Sequence, residues 1–232
     1  MENLIKGFEI VGKNAGFNKP VISTYVNKVI DYSIDPVKNL SPTVIEEAPN
    51  GSLISYDVYT RLLKDRIIFF GHAVADETVN IAIAQMLFLE MTDAKKDITL
   101  YINSGGGSVV AGLGFIDVMD YVSPDVSTVA IGMAASMGAV ILTSGTKGKR
   151  FALPNSEVMI HQILGGAEGQ FSDMEIRLNH MKRLKDKLYK ILADTSGQTV
   201  KKIEEKSNRD YWMLAEEAKK EGFIDEVIRK KK

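Results

Sequence analysis

From Arg66 to Ile163 the chain keeps switching between two hydrophobic periods, and this constrains its fold more than any other feature. "RIIFF" from Arg66 reads as a strand, Ile81, Ala84, Gln85, Phe88 and Leu89 recur at helical spacing, and "DITLYIN" (Asp97 to Asn103) is strand-like again. The alternation continues with a helix from Val109 to Val122, a strand "VSTVAIG" ending at Gly132, a helix after Ser136, and strands near Phe151 and at "EVMIHQI". Strands joined through helices run the same way, so the series predicts an α/β fold with a mainly parallel sheet. A short helix over Asp57 to Lys64 precedes it.

The two flanks behave differently. Residues 1–40 hold no sustained period and carry Pro20 and Pro36, so they read as an extension. Their opening mixes Glu with Lys and lacks the apolar run of a signal peptide. Towards the other end, Ser172 and Glu175 have capping-box spacing before a long amphipathic helix whose Met174, Leu178, Met181, Leu184, Leu188 and Ile191 share a face. The "GGAEGQF" segment before that helix predicts an exposed hairpin or extended ribbon.

Composition excludes several classes of function. With 29 basic and 30 acidic residues the net charge is −1, which gives phosphate-rich nucleic acid or membrane surfaces little to hold. The chain has no cysteine, so disulfides, thiolate chemistry and Cys-based zinc sites are absent, and a cytoplasmic location fits. The scattered histidines argue against any metal. No segment approaches the roughly 18 apolar residues of a membrane helix. A nucleotide-binding reading of "GGGS" fails because no Lys-Ser or Lys-Thr pair follows.

The polar residues converge on one edge. In a parallel sheet the turns after "ITLYIN", "STVAIG" and "VMIHQ" emerge on the same side, and they carry "SGGGS", "AASMG" and His161. Ser136 sits in "GMAASMGAVIL", a run with no charge and many tiny side chains. It is either filler in a packed helix or a nucleophile at a sharp turn. A serine nucleophile needs a base, and the base needs a carboxylate to fix its tautomer. Of three histidines, His161 alone falls on this edge; His72 and His180 read as surface or boundary residues. Asp210 in "SNRDYWM" is the best carboxylate, preceding a strand-like start.

Four stretches, "YINSGGGSVVAGLGFIDVM", "VSTVAIGMAASMGAVIL", "GKRFALPNSEVMIHQILGG" and "NRDYWMLAEEAKKEGFIDEV", resemble in order and spacing the ClpP family, the proteolytic subunits of the ATP-dependent Clp proteases. The resemblance runs from Pro42 to Ile228. It implies a serine endopeptidase of crotonase-like fold, a βαβ superhelix with a protruding helix-and-strand handle, cleaving unfolded polypeptides. On that pattern Ser136 is the nucleophile, His161 the base and Asp210 the orienting acid, with the N–H groups of Gly107 and Met137 as oxyanion hole. Gly106, Ser108, Val109, Ile163, Leu164 and Gly165 would bind substrate backbone as an added strand. Tyr101, Tyr121, Phe151 and Leu153 match positions where an AAA+ unfoldase docks, although they also fit ordinary strand and core aromatics.

The resemblance further implies two stacked heptameric rings, no cofactor in this chain, and ATP used by the unfoldase. It divides the chain into an extension or propeptide (1–40), cut near residues 38–40 by neighbouring subunits, an axial entry loop (41–56), a head (57–160 and 199–232) and a handle (161–198). Three positions depart from the pattern: Gly105 and Ile163 replace prolines, and Asn208 replaces an acid. The alternatives are a catalytically silent ring subunit, which sits poorly with three filled catalytic positions, and a crotonase-type acyl-CoA enzyme, for which nothing marks a CoA phosphate site.

Overall fold

A computed structural model describes residues 42–230. The expected cleavage near residues 38–40, and the rest of the 1–40 extension, lie outside the described residues. The chain divides into a unit up to Arg61 and another from Leu62. In the first, strands β1 (Thr43–Glu47) and β2 (Leu53–Asp57) pair antiparallel across a turn where Gly51 takes φ 78°, a left-handed value that glycine adopts without strain. Arg61 pairs with Glu46 beside this hairpin. Helix α1 (Val58–Lys64) follows, with the Asp57 carboxylate accepting from the Tyr59 and Thr60 N–H groups at its start.

The larger unit realises the βαβ series. Strands β3 (Ile67–Phe70), β4 (Ile98–Ser104), β5 (Val126–Ala135), β6 (Arg150–Ala152) and β9 (Glu226–Val227) lie side by side in that order, all parallel. Helices α2 (Asp76–Thr92), α3 (Val109–Tyr121) and α4 (Met137–Thr143) connect or follow them. Along β4 burial alternates: Ile98, Leu100, Ile102 and Ser104 are buried, while Thr99, Tyr101 and Asn103 are not. One sheet face therefore packs on helices, with Met86 and Phe115 fully enclosed. Each such side chain contributes about 1.5–3 kcal/mol by leaving water.

Strand β5 runs further than its sequence pattern indicates. The break expected at Gly132 is a kink inside the strand, where φ is 69° and the Asn103 amide oxygen accepts from the Met133 N–H. Before the kink β5 pairs with β6; after it, along the same edge, with β7 (Glu157–Ile160). Beyond the kink the strand stays paired as far as Ala135, which faces Met159 of β7, and Ser136 follows directly at its end. Strand β8 (Tyr211–Leu214) adds antiparallel to β7.

Two other expectations need correction. The capping box of Ser172 and Glu175 does not form, because helix α5 (Phe171–Ser196) starts earlier, with Gln170 at the N-cap in an extended conformation. Ser172 is then already inside the first turn. Of the two forms expected for the Gly-rich segment, a hairpin or an extended ribbon, the hairpin is not found: residues 161–168 pair with no strand among the described residues. The apolar stripe on α5 is also only partly covered. Leu188, Tyr189, Leu192 and Ala193 are buried, whereas Leu178 is exposed. On α2 the buried residues are Val79, Ala82, Met86 and Leu89, leaving Ile81 and Phe88 outside. Helix α6 (Val200–Ser207), capped by Thr199, and α7 (Ala215–Lys220) complete the unit.

Candidate active site

Ser136 occupies the junction between β5 and α4, with φ 54° and ψ −122°. These angles mirror an ordinary extended conformation, so a side chain there costs about 1–3 kcal/mol of strain. The surroundings hold it. Its N–H donates to the Met159 carbonyl at 2.8 Å, tying the turn to β7, and its carbonyl accepts from Ala139 at 3.0 Å. All seven residues of α4 are buried, which accounts for the absence of charge in this stretch. The tiny residues have a steric reason as well: a Cβ on Gly138 would stand 2.8 Å from the Ser104 carbonyl.

The Ser136 hydroxyl lies 2.7 Å from His161 Nε2. His161 directly follows β7, and Asp210 directly precedes β8. Because Ile160 pairs with Tyr211, antiparallel register sets residues 161 and 210 across from each other. His161 Nδ1 is 3.4 Å from Asp210 Oδ1. The Gln162 amide donates to the Asn208 carbonyl at 3.1 Å, joining the same two segments once more. The contact uses the Asn208 backbone, so it does not depend on that side chain.

The glycine loop approaches from β4. Ser104, only 2% exposed, donates from its hydroxyl to the His72 carbonyl at 2.6 Å and accepts from the Gly106 N–H at 3.2 Å. Val74 brackets the loop, donating to the Gly106 carbonyl and accepting from Ser108. A Cβ on Gly106 would lie 2.7 Å from both the Ala135 carbonyl and Ser136 Cβ, and one on Gly107 would lie 2.3 Å from the Val74 carbonyl. Only glycine permits this approach. Met137 opens α4, so its N–H has no intrahelical acceptor. Sequence reasoning missed Ser104, Val74 and the His72 carbonyl. Ser104 carried a signal as a hydroxyl at an inward-facing position of an alternating strand; the backbone groups carried none.

A cavity of about 330 Å³ opens beside Ser136. Gly106, Gly107, Val109, Met137, His161, Ile163 and Leu164 line it, while Ser108 and Gly165 lie outside its wall. Gly105 also lines it, and a Cβ there would meet only Met133 Cε, at an ordinary 3.6 Å. His72 and His180 are exposed. Elsewhere, Tyr101 and Phe151 flank Val129 from the neighbouring strands on the sheet face opposite Leu100. Leu153 is partly exposed, and Tyr121 is 76% exposed at the end of α3.

No cluster of three or more side chains suited to a metal occurs among the described residues, and no described helix is long and apolar enough to cross a membrane. A family model described as Clp protease matches residues 50–231.

Proposed function

The chain belongs to the Clp protease family, a family of peptidases, and from that premise we propose that it is a serine endopeptidase working through Ser136, His161 and Asp210. The observation that carries this reading is the 2.7 Å approach of His161 Nε2 to the hydroxyl of Ser136, on a strained turn at the mouth of a cavity. His161 takes the hydroxyl proton as Ser136 Oγ attacks the peptide carbonyl carbon. The Gly107 and Met137 N–H groups stabilise the resulting oxyanion. Collapse breaks the C–N bond while His161 protonates the leaving amine; water, deprotonated by His161, then cleaves the acyl ester and frees Ser136. Asp210 holds the Nδ1 proton and stabilises the imidazolium.

Substrate lies as an extended strand along Gly106, Ser108 and Val109 on one side and Ile163, Leu164 and Gly165 on the other. Main-chain pairing makes recognition tolerant of sequence. The chain works in two stacked heptameric rings in the cytoplasm, without a cofactor of its own, and receives unfolded polypeptide from an AAA+ unfoldase. Tyr101, Phe151, Leu153 and Tyr121 form the docking surface, residues 41–56 the axial entry, and residues 161–198 the handle between rings. Hydrolysis of a short fluorogenic peptide by the purified chain, lost in Ser136→Ala, together with the mass of the assembly, tests the proposal. Assembly without hydrolysis, in the presence of unfoldase, would instead make it a silent ring subunit.

A further inference from the structure

Helix α3 carries two glycines in its interior, Gly112 and Gly114, although glycine weakens a helix relative to alanine. Neither has a left-handed φ, so backbone conformation calls for glycine at neither position. Gly114 is open, since a Cβ there would meet nothing within 4 Å. Gly112 is buried and faces Met137, the first residue of α4: a Cβ on it would stand 2.4 Å from Met137 Cγ, 2.9 Å from Sδ and 2.6 Å from Cε. Bare backbone at Gly112 is therefore the seat on which the Met137 side chain lies. The clash begins at Cγ, close to the main chain, and Met137 is 2% exposed in a helix whose seven residues are all buried. An added methyl group would thus push on the α4 backbone rather than on a free side-chain end. The seat also joins two particular N–H groups. Gly107 lies just before α3, whose first turn is tied by the Ser108 hydroxyl accepting from the Ala111 N–H at 3.3 Å, and Met137 opens α4. Loop and helix are already close, because a Cβ on Gly106 would lie 2.9 Å from Met137 N.

We infer that Gly112 is a positioning residue for the oxyanion hole: by seating the Met137 side chain it fixes the Met137 N–H at the head of α4 relative to the Gly107 N–H at the head of α3. This rests on the peptidase reading above and adds to it the contact that aligns the two donors. Donors stabilise an oxyanion only when they already point at the place where the charge will develop. The hydrogen bonds from Val74 and Ser104 hold the loop side of the hole, and the Gly112 seat ties that side to α4. Gly112 touches no reacting atom itself; it acts through Met137.

The test uses full-length protein with a peptide ester and its thionoester, in which sulfur replaces the oxygen of the attacked carbonyl. Sulfur is larger and accepts hydrogen bonds poorly, so aligned donors favour the oxygen substrate. The value read is kcat/KM for the ester divided by that for the thionoester. A changed side-chain pocket or a smaller folded fraction alters both rates alike and cancels. Gly112→Ala should lower kcat/KM for the ester about a hundredfold, the loss typical of one oxyanion donor, and the ratio by at least about tenfold. Gly114→Ala should keep the wild-type ratio. Met137→Ala empties the seat while keeping both N–H groups; it should lower the ratio as well, and it decides the matter if Gly112→Ala does not fold. A ratio that stays at the wild-type value in Gly112→Ala, or falls equally in Gly114→Ala, overturns the assignment while ester hydrolysis by the wild type still stands. Failure of the wild type to hydrolyse the ester overturns it together with the peptidase reading, so the two failures are distinguishable.

Discussion

His161 stands across from Asp210, one residue beyond the Ile160–Tyr211 pair, but the carboxylate is 3.4 Å from Nδ1 and 62% of its side chain is exposed. Water at that exposure weakens the attraction between imidazolium and carboxylate. Removing the acid therefore costs less than removing the nucleophile. Asp210→Asn should lower kcat about a hundredfold, whereas Ser136→Ala should lower it by several orders of magnitude. Steady-state peptide hydrolysis by the two variants measures the gap; equal losses would mean that the Asp210 contact is tight in the working enzyme.

The strain at Ser136 leads to a stability prediction that is separate from chemistry. Its angles, φ 54° and ψ −122°, suit glycine as readily as their mirror image does. Ser136→Gly and Ser136→Ala both lose the hydroxyl, but only glycine relieves the backbone. The glycine variant should be more stable than the alanine variant by about 1 kcal/mol, even after the entropy that glycine adds to the unfolded chain. Urea unfolding midpoints of the two inactive variants decide it.

Neighbouring glycines of the loop between β4 and α3 should respond in opposite ways. Gly106→Ala drives a methyl group against Ala135 and Ser136 at φ 92° and should abolish hydrolysis. Gly105 has no left-handed φ, and its Cβ direction is open to ordinary contact. Gly105→Pro should stiffen the turn, worth about 0.4–1 kcal/mol of ordering, and raise peptidase activity without unfoldase. Asn208→Glu, which leaves the backbone bond from Gln162 in place, should raise it too by restoring an acid beside Arg209. Unassisted rates in both variants equal to wild type would show these departures to be neutral.

Acid stability should turn on Asp225. Burial alone would raise its pKa, but the Arg150 side chain at 2.6 Å and the Arg150 and Gly148 N–H groups outweigh it and hold the carboxyl below its ordinary 3.8. The carboxyl is then ionised in both folded and unfolded chains above about pH 4, where the stabilisation is complete. It is lost as pH falls through the lower folded value. Arg150 is 4% exposed and also donates to the Thr143 and Thr195 carbonyls, so Asp225→Asn leaves a buried charge and should cost about 3 kcal/mol near neutrality. Below pH 4 the penalty should shrink, which unfolding curves across pH would record.

What the sequence made legible was whatever depends on local period. The βαβ order, the single edge carrying the three polar turns, and the candidates Ser136 and His161 all follow from alternation and chain direction. Asp210 was reachable because a strand start announced itself in "YWML". What stayed hidden depends on distant partners. The kink at Gly132 is held by Asn103, 30 positions away among the described hydrogen bonds. The start of α5 is set by backbone conformation at Gln170, against the spacing of Ser172 and Glu175. Tyr189 was overlooked because the stripe through Leu184 and Leu188 points to a slightly different helix face from the one buried, which also includes Leu192 and Ala193.

Helix α5 is 26 residues long, about 39 Å at the usual rise, and its first turns carry Phe171, Ile176 and Leu178 at 78, 65 and 56% exposure. A helical stretch that short and that bare is marginal in water by itself. If the proposed rings meet through this arm, its winding and the meeting of two chains should be one equilibrium. Because the same helix runs on to Lys185 and Tyr189 in the cavity wall, dilution should then unravel it from the far end towards Ser136. Activity per subunit should then depend on how many subunits surround it: a solitary chain would carry every reactive group and still be slow, and amide hydrogens of residues 171–181 would exchange fastest where the protein is most dilute.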